Sequence, residues 1–141
     1  MNLKKNSGFT LVEILVTVLI LGVIAGLATP TYFKSVEQSR SNEATVNLNA
    51  IYMAEKIYAL NNGGNYWGPG SNPSLVSINS TLNIDINPQY YPVTSITTTT
   101  GTPATFSAKV TRNTVQGGNS DGVVQSYSID QTGTITSSAI A

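Results

Sequence analysis

The pattern of apolar and polar positions changes twice along the chain. From Phe9 to Ala28 the sequence reads FTLVEILVTVLILGVIAGLA, with a single charge at Glu13. As a helix, about 20 such residues span roughly 30 Å, the thickness of a bilayer's hydrocarbon core. From Lys34 to Leu60 there is no Gly or Pro, and Val46, Ala50, Met53, Ile57 and Leu60 recur at spacings of four and three. Ala44, Leu48, Ile51 and Tyr58 extend that face, which reads as the broad apolar stripe of an amphipathic helix. Lys34, Glu37, Arg40 and Glu43 alternate in sign opposite it, as on a solvated helix face. The two stretches join into one helix from about Phe9 to Leu60, with Pro30 and the upstream Gly22 and Gly26 predicting a kink. Asn61-Asn62-Gly63-Gly64 ends it, Gly supplying the left-handed cap conformation.

Turn residues dominate to Pro73, around Tyr66-Trp67-Gly68-Pro69-Gly70, and Leu75–Ile86 reads as a short helix or an irregular segment. Beyond it the period becomes two. Ala104, Phe106, Ala108 and Val110 alternate with Thr105, Ser107, Lys109 and Thr111, and Val123, Gln125, Tyr127 and Ile129 alternate with Val124, Ser126, Ser128 and Asp130 as a second strand. Gln131-Thr132-Gly133 reads as a hairpin turn into a strand over Thr134–Ser137. Tyr90–Ile96 is a further strand candidate, and Thr97–Thr100 reads as a loop tip. The expected fold class is α+β: a long N-terminal helix, membrane-spanning in its first half and amphipathic in its second, packed on an antiparallel sheet of three or four strands. The stripe from Val46 to Leu60 is expected to bury against Phe106, Val110, Tyr127 and Ile129.

Composition narrows the function classes. The chain has 141 residues and a mass of 14.9 kDa, room for one ordinary domain. It has no Cys and no His, which excludes thiol redox chemistry, zinc fingers and His-based catalytic triads. Seven basic residues balance seven acidic ones, so charge does not indicate nucleic-acid binding. Only 10% of residues are charged, while Ser, Thr and Asn make up a third of the chain. Such a surface suits a protein packed against copies of itself or held at a membrane. Glu37 and Glu43 stand six apart on a helix and form no acid pair, and neither a nucleophile elbow nor a phosphate-binding Gly loop is present. An enzyme is therefore disfavoured, and a membrane-anchored binding module is the other alternative.

Three readings compete for the apolar stretch. Lys4 and Lys5 could head a secretory signal peptide cut after Gly26-Leu27-Ala28, or a plain signal anchor, or a short leader removed in front of a retained helix. Glu13 argues against the first, because a charge in an apolar span is costly and usually functional. So does the helical pattern, which continues past Ala28. Lys4 and Lys5 place the N-terminus on the cytoplasmic side by the positive-inside bias.

Gly8-Phe9-Thr10-Leu11-Val12-Glu13, after a basic leader and before an apolar stretch with Pro30 at its end, resembles the processing and assembly signature of type IV prepilins and type II secretion pseudopilins. Tyr127-Ser128-Ile129-Asp130 followed by Gly133 is similar to the closing hairpin of many pilins. The resemblance implies a pilin-like fold with three parts: a leader at residues 1–8, a transmembrane and assembly segment at 9–30, and an extracytoplasmic globular domain at 31–141. It implies cleavage by prepilin peptidase between Gly8 and Phe9, N-methylation of Phe9, and pairing of the Glu13 carboxylate with the Phe9 amine of a neighbouring subunit. Removing the leader takes Lys4 and Lys5 and leaves five bases against seven acids. The implied partners are identical or related subunits, an inner-membrane assembly platform and, before assembly, membrane lipids. The implied location is the inner membrane in a single pass, then a cell-surface or periplasmic filament. No cofactor is implied. Pilus subunit and secretion pseudopilin are both open.

Weaker candidates remain. Asn119, Asp121 and Asp130 could offer oxygen ligands to Ca²⁺, as the calcium loop of major pseudopilins does, but Gly117–Gly122 is most simply a hairpin loop. Tyr66 and Trp67 suit a subunit contact or core packing equally. Asn79-Ser80-Thr81 fits a glycosylation sequon.

Overall fold

The computed structural model describes residues 8–101, 103–113 and 124–140. Its contacts divide the chain into two compact units, one ending at Gln38 and one beginning at Ser39. A single helix, α1 (Leu11–Asn61), contributes to both. Helical backbone continues through Gly22, Gly26 and residue 30. After Asn61 the chain turns back through Gly63 and Gly64, both at positive φ, and the Gly64 N–H donates to the Ala59 carbonyl at 2.8 Å. That bond satisfies a terminal carbonyl that would otherwise lack a partner.

In the second unit follow β1 (Gly70–Ser71), α2 (Leu75–Leu82), β2 (Val93–Thr99), β3 (Thr105–Thr111), β4 (Val124–Asp130) and β5 (Ile135–Ile140). They form one antiparallel sheet in the order β1-β2-β3-β4-β5. The α+β expectation stands, with five strands in place of three or four. Ser74 caps α2, its hydroxyl accepting from the Ser77 N–H at 3.1 Å. The Thr97–Thr100 run is not a loop tip. Thr97, Thr98 and Thr99 pair with Ser107, Phe106 and Thr105, and the turn begins only where β-branched residues give way near Gly101.

The sheet face expected to be apolar is so: Phe106, Ala108, Val110 and Ile129 are buried, with Tyr127 packed beside them. The helix face is the reverse of the expectation. Ala44, Leu48, Ile51, Ala54 and Ala59 are buried, whereas Val46, Met53, Ile57 and Leu60 are exposed by 66%, 61%, 60% and 84%. At about 100° per residue the two sets lie on opposite sides of the helix. Both sides are apolar, so periodicity alone could not choose between them. Three of the five residues on the buried side are alanines, which weakens its apolar signal. That side also carries Asn47 and Glu55, which bias a sequence reading away from it.

Candidate functional site

Polar side chains in the apolar part of α1 form local hydrogen bonds. Thr10 precedes the helix, and its hydroxyl accepts from the Glu13 N–H at 3.3 Å. The Glu13 carboxylate reaches back, accepting from the Thr10 N–H at 3.0 Å and its hydroxyl at 3.1 Å. This is a reciprocal capping box, signalled in sequence by the Thr-x-x-Glu spacing, which the reading of Glu13 as a pairing group alone left out. Thr17 and Thr29 donate to the Ile14 and Ala25 carbonyls at 2.8 and 2.7 Å. A helix arranged this way presents little unsatisfied polarity to hydrocarbon. Its 18-residue window reaches a mean hydropathy of 2.7 with none of it buried, long and apolar enough to cross a membrane.

Gly8 and Phe9 lie in exposed, non-helical backbone before the first turn, and a Cβ added at Gly8 would meet nothing within 4 Å. Phe9 is 83% exposed, and Glu13 lies one turn along the helix from it. Lys4 and Lys5 lie outside the described residues, as do Asn119 and Asp121.

In the second unit, acids on α1 fasten the connections that cross it. The Glu43 carboxylate accepts from the Gln89 and Tyr90 N–H groups, and Arg40 stands 4.6 Å from the centre of the Tyr90 ring. Arg40 and Glu43 are thus working contacts rather than a solvated charge pattern, a role without a signal in local sequence. Twelve residues further on, fully buried Glu55 accepts from the Trp67 N–H at 2.9 Å. Tyr66 and Trp67 pack on the core, the Tyr66 ring centre 4.8 Å from that of Phe106. That places them with core packing.

Asp130 caps the last hairpin. Its Oδ1 accepts from the Thr132 N–H at 2.8 Å, the Thr132 hydroxyl at 2.6 Å and the Thr134 N–H at 3.1 Å. The Thr132 hydroxyl and these backbone donors hold its carboxyl below the usual 3.8. Among the described residues no three acids cluster as a metal site. The Asn79 side chain is committed inward, donating to the Ile86 carbonyl at 3.0 Å and accepting from its N–H at 3.2 Å. The sequon nitrogen therefore fastens the turn after α2.

Residues 3–29 match the family model described as the prokaryotic N-terminal methylation motif. The chain is 41% identical over 54 residues to the type IV major pilin protein PilA of Myxococcus xanthus, covering 38% of this chain and 24% of that protein. It is 39% identical over 62 residues to type II secretion system core protein G of Pseudomonas aeruginosa, 44% of each chain. With core protein G of Pectobacterium carotovorum it shares 30% over 88 residues, 62% of this chain and 54% of the relative. The matched part thus spans between about a quarter and about half the length of these curated relatives. No solved structure matches. The chain carries the N-terminal methylation motif and is a homologue, in the matched part, of type IV pilins and type II secretion pseudopilins.

Proposed function

We propose that the chain is a structural, non-catalytic subunit that polymerises from the inner membrane into a type IV pilus-like filament. Residues 9–30 hold it in the membrane with the N-terminus cytoplasmic and the globular part outside. Prepilin peptidase removes residues 1–8 between Gly8 and Phe9, and Phe9 is N-methylated. In the filament the Glu13 carboxylate exchanges its Thr10 bonds for the Phe9 amine of a neighbouring subunit, which fixes the axial step. Pro30 gives the helix its bend at the end of the membrane segment.

The observation that carries this reading is the unburied apolar surface of α1. Phe9 to Leu27 is exposed on all sides, and Val46, Met53, Ile57 and Leu60 leave a second exposed stripe on the half whose other side is already buried. Apolar surface of that extent marks an interaction site. Bilayer can cover the first stretch before assembly. The stripe from Val46 to Leu60 suits neighbouring helices of identical or related subunits.

The pseudopilin of a type II secretion system is the second reading. In its favour, the matches to core protein G cover 44% and 62% of this chain against 38% for the pilin match. The N-terminal mass of the mature protein tests the common pathway, with N-methylated Phe9 expected. A mature start at Thr29 would refute it. Electron microscopy of sheared surface fractions separates the readings: long surface filaments at native expression support the pilus, and their absence with loss of exported proteins on deletion supports the pseudopilus.

A further inference from the structure

Glu55 is a fully buried acid whose two oxygens are unequally served. Oε2 accepts from the Trp67 N–H at 2.9 Å, and buried Oε1 has no protein partner. Trp67 belongs to the 62–69 loop between α1 and β1, and the loop is closely fitted there. A Cβ at Gly68 would collide with the Thr98 side chain. Few charges face Glu55. The loop, NGGNYWGP, has none, and Tyr66 is its single titratable group. Lys56, the neighbour on α1, turns its ammonium to the Tyr66 hydroxyl at 3.2 Å and to the Tyr52 ring. The inner face of the sheet brings Tyr127, α2 brings none, and the 83–92 connection brings exposed Asp85, half-buried Tyr90 and buried Tyr91. Arg112 lies past the end of β3 opposite to Phe106, beside the Tyr90 and Gln125 backbone.

We infer that Glu55 is a proton-operated latch on the 62–69 loop, closed when its carboxyl is neutral and released when it ionises. A neutral carboxyl accepts from the Trp67 N–H and leaves one O–H without an acceptor, the cost of a single neutral polar group. A carboxylate has several lone pairs to satisfy, and one donor leaves Oε1 uncompensated in an apolar site. Opening the loop admits water to that oxygen. Burial pushes the Glu55 carboxyl up to about 7, against the smaller opposing effect of the Trp67 N–H. With the folded value raised above 4.5, the closed loop carries no ionisation penalty below 4.5. The penalty grows between 4.5 and about 7 and is complete above it. No His or Cys exists to titrate in this window. The inference goes beyond filament assembly and does not depend on it.

Trp67 is the only tryptophan and reports the loop directly. In the full chain in detergent micelles, its emission should shift to the red in one step centred near pH 7, and Glu55→Gln should hold the blue-shifted value from pH 5 to 9. The wild-type protein, labelled at glutamate side-chain carboxyl carbons, gives an independent reading by NMR, with one of its four glutamates titrating near neutrality. A flat wild-type emission, a step that persists in Glu55→Gln, or four glutamates all titrating near ordinary values would each overturn the latch.

Discussion

Ile51 and Ile57 test which side of α1 is the core. They are the same residue type, less than two turns apart on one helix, and one is fully buried while the other is 60% exposed. Replacing Ile51 with Ala removes packed methylenes and leaves a cavity beneath the sheet, which costs about 2–5 kcal/mol. Complete burial of an Ile side chain is worth about 1.5–3 kcal/mol, and Ile57 buries roughly two-fifths of its surface, so its truncation should cost about 0.6–1.2 kcal/mol. For a unit the size of Ser39–Ala141, 1 kcal/mol moves the Tm by about 4–8 °C. The expected losses are therefore about 20 °C for Ile51→Ala and about 5 °C for Ile57→Ala. Melts of the full chain in detergent, followed by Trp67 fluorescence, make the comparison in the globular unit itself. Equal losses, or a larger loss at Ile57, would mean that the stripe from Val46 to Leu60 is the packed face and that the buried face described here is wrong. Ile57→Asp adds the assembly test. Its melt should fall by at least the roughly 5 °C of Ile57→Ala but by far less than that of Ile51→Ala, while filament yield falls.

Three further perturbations address the other contacts. Glu13→Gln should leave membrane insertion intact or improve it, since it removes a charge from the span, while filament yield drops sharply; normal filament yield would refute the pairing role. Gly68→Ala should destabilise the globular unit by about 1–3 kcal/mol, because its new methyl overlaps Thr98; an unchanged Tm would show that the loop has room the structure denies it. Asp130→Asn should lower the Tm at pH 5, and the deficit should shrink as the pH falls below 3.8. Asp130's folded value lies below 3.8, so its stabilisation is full above 3.8 and is lost as acid protonates the hairpin cap; a gap that stays constant as the pH is lowered would assign the effect to shape rather than charge.

Local patterns made most of the fold legible. The absence of Gly and Pro from Lys34 to Leu60 marks helix, the two-residue alternation through Phe106 and Val110 marks strand, and Gly63 and Gly64 stop α1 where left-handed backbone is needed. What escaped depends on partners distant in sequence. The two-residue strand β1 exists only because Gly70 and Ser71 meet Ile96 and Ser95. Glu43 finds Gln89 and Tyr90 across 46 and 47 residues. Thr10 was legible and missed: Thr-x-x-Glu is a helix-start signature, obscured because Glu13 already had another reading.

The face of α1 was unreadable for a different reason, and that reason bears on function. A helix that serves one core needs one apolar side, and its other side can be filled with charges at no cost to folding. This helix instead carries Val46, Met53, Ile57 and Leu60 opposite Leu48 and Ile51, and gives its few charged groups such as Glu43 and Glu55 to tying down loops. Folding alone does not call for the second stripe, and in water it favours association. Contact with other subunits does call for it. The two sides of the helix then answer to different requirements, one met within the chain and the other between chains. The Ile51 and Ile57 substitutions should accordingly separate, the first in a melting curve and the second in a filament count.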